Sequence, residues 1–406
     1  MRLSPNHADT NDPEGNKADA AIFEQGVELE DDRPNWPHQS LPAEFKLEGT
    51  HHDPFDDRLN HDTQSLADGR FKVFGQCAGY VNCVFRYQHR TAVFQLLVIG
   101  GCFRFLRWDR SAVIVTQKID YLTDTRTLVD MLLGFLILDA ESQGVDPTAT
   151  LLAKGSPEYD LMDKVAESGS PDDTQPMPVI VPHAEGTEYE DTQDDERSPI
   201  ILDHVLDYFL NSLGDWPRYR LTLDDQIFLV GKPIFESTGL VGRGTRGYVA
   251  WHVNSKSFVF LKDAWRPFYT TMEAEGDTLR RLNAAEVINV PTLVCHGNVG
   301  NQSTFASHYC LHLDERTNAE RKAKAHNVDD KKGKGKKRKA DDLDPSAIGD
   351  DQIQPRLRHY AHYRICVKEI CLPLKEFKSS KQLITIVRDC IDGKRCSVTM
   401  GPSFAS

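Results

Sequence analysis

Three polar stretches divide the chain and restrict where a hydrophobic core can form. Residues 1–65 are rich in Asp, Glu, Pro, His and Asn, residues 155–199 in Pro, Gly, Ser and acidic residues, and residues 316–357 in charged residues. Such segments bury too little apolar surface to offset the loss of chain entropy on folding, so we expect all three to be disordered. The folded parts of the chain should therefore lie between them.

The composition argues against several classes of protein. Acidic residues outnumber basic ones by 61 to 48, which gives a net charge of −13 and disfavours a chain that coats nucleic acid by charge alone. The longest apolar run, Met131–Leu138, is too short to span a bilayer, and the first residues lack the apolar stretch of a secretory signal. Nine cysteines without a CxxC pair indicate reduced thiols and argue against a zinc site. We expect a nuclear or cytoplasmic protein without membrane contact or a bound metal.

The first folded region, residues 66–224, is predicted to be an αβ domain. Apolar residues recur at helical spacing from Leu66 to Val81. Three apolar runs then follow, AVFQLLVIG, CFRFLRW and SAVIVTQKI, separated by Gly-Gly and Asp-Arg, which predicts an antiparallel meander of three strands. The amphipathic segments TRTLVDMLLGFLILDAESQG and Ile200–Leu213 are predicted to be helices that pack on this first core.

A glycine-rich pattern, Gly242-x-Gly244-x-x-Gly247, lies in the second folded region, residues 225–392. In dinucleotide-binding folds a helix follows such glycines. Here the residues from Gly247 to Val253 alternate between apolar and other types, and the turn NSKS leads to a second run, FVFL. The pattern therefore predicts a β-hairpin, in which glycines let the backbone lie close over phosphate groups.

A lysine and a glutamate follow the hairpin in the order that phosphate binding would require. Lys262 ends the second strand, and an amphipathic helix containing Glu275 comes next. In protein kinases a strand lysine paired with a helix glutamate orients the ATP phosphates. The separation of the two residues is short, so Glu273 is an alternative partner for the lysine.

With these motifs the chain resembles the fungal-type protein kinase family, a divergent branch of the eukaryotic-like protein kinases. The resemblance rests on GRGTRGYVAW, FVFLKDAWRP, EGDTLRRLNAAEV, NVPTLVCHGNV, RICVKEICLPLKEFKSSKQL and, nearer the N-terminus, FRFLRWDRSAVIVTQKIDY. It implies an α+β chain, with an N-terminal αβ domain carrying the meander followed by a kinase-like small lobe of antiparallel sheet plus helix. Residues 393–406 would form an irregular tail.

The resemblance also implies that ATP is the cofactor and assigns its binding residues. They would be Gly242, Gly244, Gly247, Val249, Lys262, Glu275 and Glu369. The glycines would cover the phosphates, Val249 would pack on adenine, and Lys262 would contact the α- and β-phosphates while pairing with Glu275. Val367–Ile370 would be the hinge that offers backbone groups to adenine. Phe260 stands where kinases usually carry a small apolar residue, so we expect it to crowd the adenine pocket.

The segments that perform catalysis in protein kinases have no counterpart that we recognise. An HRD-type loop supplies an Asp and an Asn, and a DFG-type Asp holds Mg²⁺. The sequence contains neither motif. The partial match His312-Leu313-Asp314 with Asn318 lies before the predicted hinge, and its Asp and Asn are four residues apart where the kinase pattern has five. We expect a chain truncated after the small lobe, without catalytic residues or Mg²⁺ and inactive on its own. A protein partner would then cover the open apolar face.

The basic run KKGKGKKRK lies within the third polar stretch and has two interpretations. One is a solvated loop, and the other is a nuclear import signal that an import receptor binds. The import candidates are Lys336, Lys337, Arg338 and Lys339. The run contains no aromatic residue to stack on bases, which argues against nucleic-acid binding. The alternative function is a nuclear scaffold, a pseudokinase that binds partners without nucleotide.

Overall fold

The computed structural model describes most of the two regions between the polar stretches and much of the N-terminus. The described residues are 1–3, 7–30, 32–55, 57, 68–168, 203–268, 273–309 and 357–399. Within these ranges the strands form two sheets. Among the same residues, no helix is both long enough and apolar enough to cross a membrane.

The first sheet contains the predicted meander and is covered by a helix on each face. Its strands are β1 (Arg2–Leu3), β2 (Ala20–Phe23), β3 (Gln39–Lys46), β4 (Val93–Ile99), β5 (Cys102–Trp108), β6 (Val113–Val115) and β7 (Ile119–Asp120). The antiparallel β4, β5 and β6 confirm the meander, while β3 joins β4 in parallel and β7 pairs with β5. Helix α1 (Asp68–Tyr87) packs on one face and α2 (Thr125–Ile137) on the other.

The prediction that residues 1–65 are disordered is wrong for the described part of that segment. Strand β3 adds to the sheet beside β4, and Trp36, with 0% of its surface exposed, stacks on Tyr80 of α1 at 6.2 Å between ring centroids. The buried Arg104 of β5 binds Asp53 at 2.8 Å. The segment has too few apolar residues to form a hydrophobic core of its own. It can still fold, because its few apolar residues add to the core that α1 and the meander already form.

The second sheet is antiparallel throughout and begins earlier in the chain than predicted. Its strands are β8 (Ala149–Leu151), β9 (Tyr219–Leu223), β10 (Gln226–Val230), β11 (Phe235–Glu236), β12 (Arg246–His252), β13 (Ser257–Pro267), β14 (Leu293–Ser303) and β15 (Tyr360–Val367). They follow the order β14-β15-β13-β12-β10-β9-β8, and β11 pairs with β12. The boundary placed at 225 is wrong, because it separates the paired strands β9 and β10.

Two helices that the sequence assigned elsewhere pack on the second sheet. Helix α3 (Pro157–Ser168) lies in the predicted linker 155–199, so that prediction is wrong over the helix, and residues 169–199 lie outside the described ranges. Helix α4 (Asp203–Ser212) was expected on the first core, but its Phe209 packs with Trp251 and Phe258 of the second sheet. An amphipathic pattern shows that a helix has an apolar face and not which sheet covers it.

The remaining helices lie near the C-terminal strands. Helix α5 (Glu275–Ala284) packs on β14 and β15, and α6 (Ser380–Thr399) extends into residues predicted to form an irregular tail. The tail prediction is therefore wrong as far as Thr399. Of the predicted insertion 316–357, residues 316–356 lie outside the part of the chain that the structure describes.

Candidate functional site

The glycine-rich segment forms the hairpin that the sequence predicts. Strands β12 and β13 pair in antiparallel register with Gly247 opposite Lys262. The loop before β12 contains Gly242 and Gly244 with φ of 118° and 47°, backbone conformations that side chains disfavour. A Cβ on Gly247 would lie 2.9 Å from Cζ of Phe260, so the Phe260 ring occupies the space beneath this glycine.

Lys262 forms an ion pair with the first residue of α5. Its Nζ lies 2.6 Å from Oε2 of Glu275, whereas the alternative partner Glu273 bonds to Arg281. The backbone N–H of Gly276 donates to the Tyr363 hydroxyl at 2.9 Å. This bond anchors the start of α5 to β15, and so it holds Glu275 where the lysine can reach it.

The glycine loop rests on the first domain through Arg110. The N–H of Gly242 donates to the Arg110 carbonyl at 2.8 Å, and Nη1 of Arg110 donates to the Leu240 carbonyl at 3.1 Å. The guanidinium lies 4.2 Å from the ring centroid of Phe85, and burial, together with Arg246, lowers its pKa to about 9. No local sequence pattern indicates this role of Arg110, because the contact joins residues that are far apart in the chain.

The face of β12 predicted to hold adenine is covered by α4. Val249 is 1% exposed and belongs to the apolar cluster that contains Phe209 of α4 and Ile370 of the predicted hinge. The His204 ring contacts the Ile370 carbonyl through Nε2 at 2.9 Å. A base that stacked on Val249 would therefore have to displace α4.

Glu369 has a structural contact within the predicted hinge. Its carboxylate accepts the N–H of Thr292 at 2.7 Å, and the N–H of Lys368 donates to the Thr292 carbonyl at 3.0 Å. These two bonds fix the hinge to the residue before β14. The predicted contribution of Glu369 to nucleotide binding remains a prediction.

A buried charge network lies on the opposite face of β13 from Lys262. Asp263 accepts hydrogen bonds from Arg246 at 2.8 Å and Arg364 at 3.0 Å, and it contacts His362 Nε2 at 2.6 Å. Arg364 also donates to Asp146 at 2.8 Å. Burial alone would raise the pKa of Asp263, but His362 and Arg364 hold it well below its usual value. Alternation along FVFLKDAWRP places Asp263 inward, a signal that the sequence analysis did not use.

Acidification is expected to destabilise the fold, because the folded structure lowers the pKa of several histidines. Burial and the charge of Arg246 keep the pKa of His89 well below 6.5, and burial also lowers the pKa of His252 and His296. As pH falls through 6.5, the unfolded chain takes up protons at these rings more readily than the folded chain, so stability falls as pH falls. Urea unfolding at pH 8 and pH 5.5 measures the effect, and an equal or higher midpoint at pH 5.5 would contradict it.

Two further expectations concern a bound metal and the import signal. Over the described ranges, no group of His, Cys, Asp and Glu side chains is arranged to hold a metal ion. The import candidates at 336–339 lie outside those ranges, so the import signal stays a prediction.

The second sheet, the glycine hairpin and the strand lysine paired with a helix glutamate are together compatible with a kinase-like fold. A sequence model described as fungal protein kinase matches residues 59–184 and 191–399. The match covers most of the chain, and the protein therefore belongs to the fungal protein kinase family. No curated protein matches the chain significantly, and no solved structure does so.

Proposed function

We propose that this chain binds ATP through a kinase-type small lobe and does not transfer phosphate on its own. The observation that carries the proposal is the 2.6 Å ion pair between Lys262 and Glu275, which joins a strand to a helix beside a glycine hairpin. A lysine held in this way presents its ammonium to the α- and β-phosphates. Lys262 keeps partial solvent access, which a phosphate ligand needs.

The proposed lack of phosphoryl transfer rests on catalytic residues that protein kinases use and that this sequence does not supply. Transfer requires a carboxylate to orient the hydroxyl nucleophile and a DFG-type carboxylate to hold Mg²⁺. Neither an HRD nor a DFG triplet occurs among the 406 residues. Without them, the charge that develops on the transferred group lacks its main electrostatic stabilisation.

The role of Lys262 can be tested by the thermal shift that ATP produces in the full chain. At an ATP concentration of about 100 times Kd, binding would stabilise the protein by about 2.7 kcal/mol, a readily measured shift in Tm. We expect K262A to abolish the shift, because it removes the phosphate contact. The exposed Lys72 of α1 provides a matched control, since K72A removes an equal charge from a helix that packs on the first sheet.

Three outcomes separate the proposal from its rivals. A shift that K262A leaves intact would show that ATP binds elsewhere. Metal-dependent phosphate transfer by the purified chain, lost in K262A, would overturn the claim of inactivity. If ATP produces no thermal shift in the unsubstituted chain, the proposal that the chain binds nucleotide is wrong.

The second candidate is a scaffold that binds protein partners without nucleotide. The position of α4 over Val249 and Ile370 favours it, because the base would compete with an apolar contact already made. Helix α6 also exposes a row of apolar side chains that a partner could cover, namely Ile384, Val387 and Ile391. The scaffold predicts no ATP shift in any variant.

A further inference from the structure

Two cysteines lie directly opposite each other on neighbouring strands of the second sheet. Cys295 of β14 and Cys366 of β15 are register partners in an antiparallel pair. Both are free thiols, Cys366 is buried, and Cys295 is partly buried against the same apolar cluster. The two side chains therefore point to the same face of the sheet.

The register satisfies the geometric requirement for a disulfide. Directly opposite residues of an antiparallel pair have Cα atoms about 4.5–5.5 Å apart. Disulfides join residues whose Cα atoms are about 4.4–6.8 Å apart. A bulge between Leu293 and Cys295 leaves an extra residue of β14 unpaired next to this position.

The two thiols differ in their readiness to react. Hydrogen bonding with Cys366 lowers the pKa of Cys295, although burial and the carboxylates of Asp224 and Asp225 act in the opposite direction. The same hydrogen bond and burial raise the pKa of Cys366. Because the thiolate is the nucleophile, we expect Cys295 to react first with an oxidant.

We propose that Cys295 and Cys366 form an oxidation site, in which hydrogen peroxide converts the two thiols to a reversible cross-strand disulfide. The Cys295 thiolate attacks the peroxide, the O–O bond breaks, and with one proton a sulfenic acid and water form. The Cys366 sulfur then attacks the sulfenic sulfur, its proton leaves with the hydroxyl as a second water, and the S–S bond forms. One hydrogen peroxide is reduced as two thiols are oxidised.

The disulfide would act on the hinge through its position. Cys366 immediately precedes Val367, the first residue of the predicted hinge, and Thr292 beside β14 is bonded to Glu369. A covalent link between β14 and β15 would therefore fix both strands at the entrance to this segment. The inference does not depend on nucleotide binding.

Peptide mass spectrometry of the full chain tests the site. The native protein is treated with an equimolar amount of hydrogen peroxide, free thiols are alkylated, and the digest is searched for linked peptides. We expect the Cys295 and Cys366 peptides to be joined with the loss of two hydrogens, and dithiothreitol to reverse the link. In urea the link should form much more slowly, because the register that aligns the thiols is lost.

Single substitutions identify the order of the two steps. In C366S a sulfenic-acid reagent should label Cys295, whereas in C295S Cys366 should stay reduced. The exposed Cys371 and Cys390 are internal controls that should alkylate freely and not join the pair. Links that form mainly to these controls, equal rates with and without urea, or direct passage of Cys295 to sulfinic acid would each overturn the proposal. Circular dichroism verifies that each variant is folded.

Discussion

Replacing Arg364 with alanine is expected to destabilise the protein by about 3–5 kcal/mol, enough to unfold many domains. Its guanidinium is fully buried and bonds through Nε to Asp263 at 3.0 Å and through Nη2 to Asp146 at 2.8 Å. Nη1 donates to the Thr148 hydroxyl and the Thr222 carbonyl, each at 2.7 Å. The substitution would leave the buried Asp146 without its main counter-charge, and it would remove one of the two arginines that bond to the buried Asp263.

Urea unfolding of R364A and of a matched exposed arginine variant measures this effect. Arg388 is largely exposed and, among the described residues, pairs with the adjacent Asp389, so R388A should cost no more than about 1 kcal/mol. R364K should remain strongly destabilised, because a lysine cannot reproduce the geometry of a planar guanidinium. Equal costs for R364A and R388A would show that the network does not stabilise the fold.

The same network connects the two sheets, so the loss of stability in R364A is expected to involve both of them. Arg246 of β12 donates to the Gln88 carbonyl at the end of α1 and contacts His89 at 2.8 Å. Asp146 lies between α2 and β8, where the chain passes from the first sheet to the second. Loss of Arg364 should therefore loosen the contact between the sheets as well as the interior of the second one.

The sequence predicted the elements whose patterns are local and strong. The meander of β4, β5 and β6 follows from apolar runs separated by turn residues, and the hairpin of β12 and β13 from alternation after Gly247. The pairing of Lys262 with Glu275 followed from the family resemblance and lies at 2.6 Å. In each case the interacting residues are close in sequence or belong to a known motif.

What the sequence could not give depends on contacts between distant residues. Trp36 is buried in the cluster that α1 forms with the first sheet, and Phe209 packs on the second sheet because strands on both sides of α4 belong to that sheet. The guanidinium of Arg364 donates to Asp146 and Asp263, which precede Arg364 by 218 and 101 positions. From composition alone, these three charged residues would be expected on the surface, and only the tertiary fold shows that they are buried and paired.

Replacing Gly276 with alanine is expected to displace α5 and break the pairing of Lys262 with Glu275. A Cβ at this position would lie 2.0 Å from Cγ of His296, a ring that cannot move aside freely because its Nδ1 contacts the Tyr363 hydroxyl at 3.0 Å. Overpacking of this kind costs about 1–3 kcal/mol. Gly75 of α1 is the matched control, since nothing lies within 4 Å of its Cβ position.

A double-mutant cycle with H296A separates the steric clash from a general helix effect. G75A should stabilise the protein by about 0.5–1 kcal/mol, because alanine favours helix where space is open. G276A should destabilise it, and H296A should cost stability by removing a packed ring. The double variant G276A/H296A should be more stable than the sum of the single effects by about 0.5–3 kcal/mol, since the ring that meets the new methyl group is gone. Additive free energies of unfolding would mean that α5 is not held against β14 at this contact, and that Glu275 is positioned by some other part of the helix.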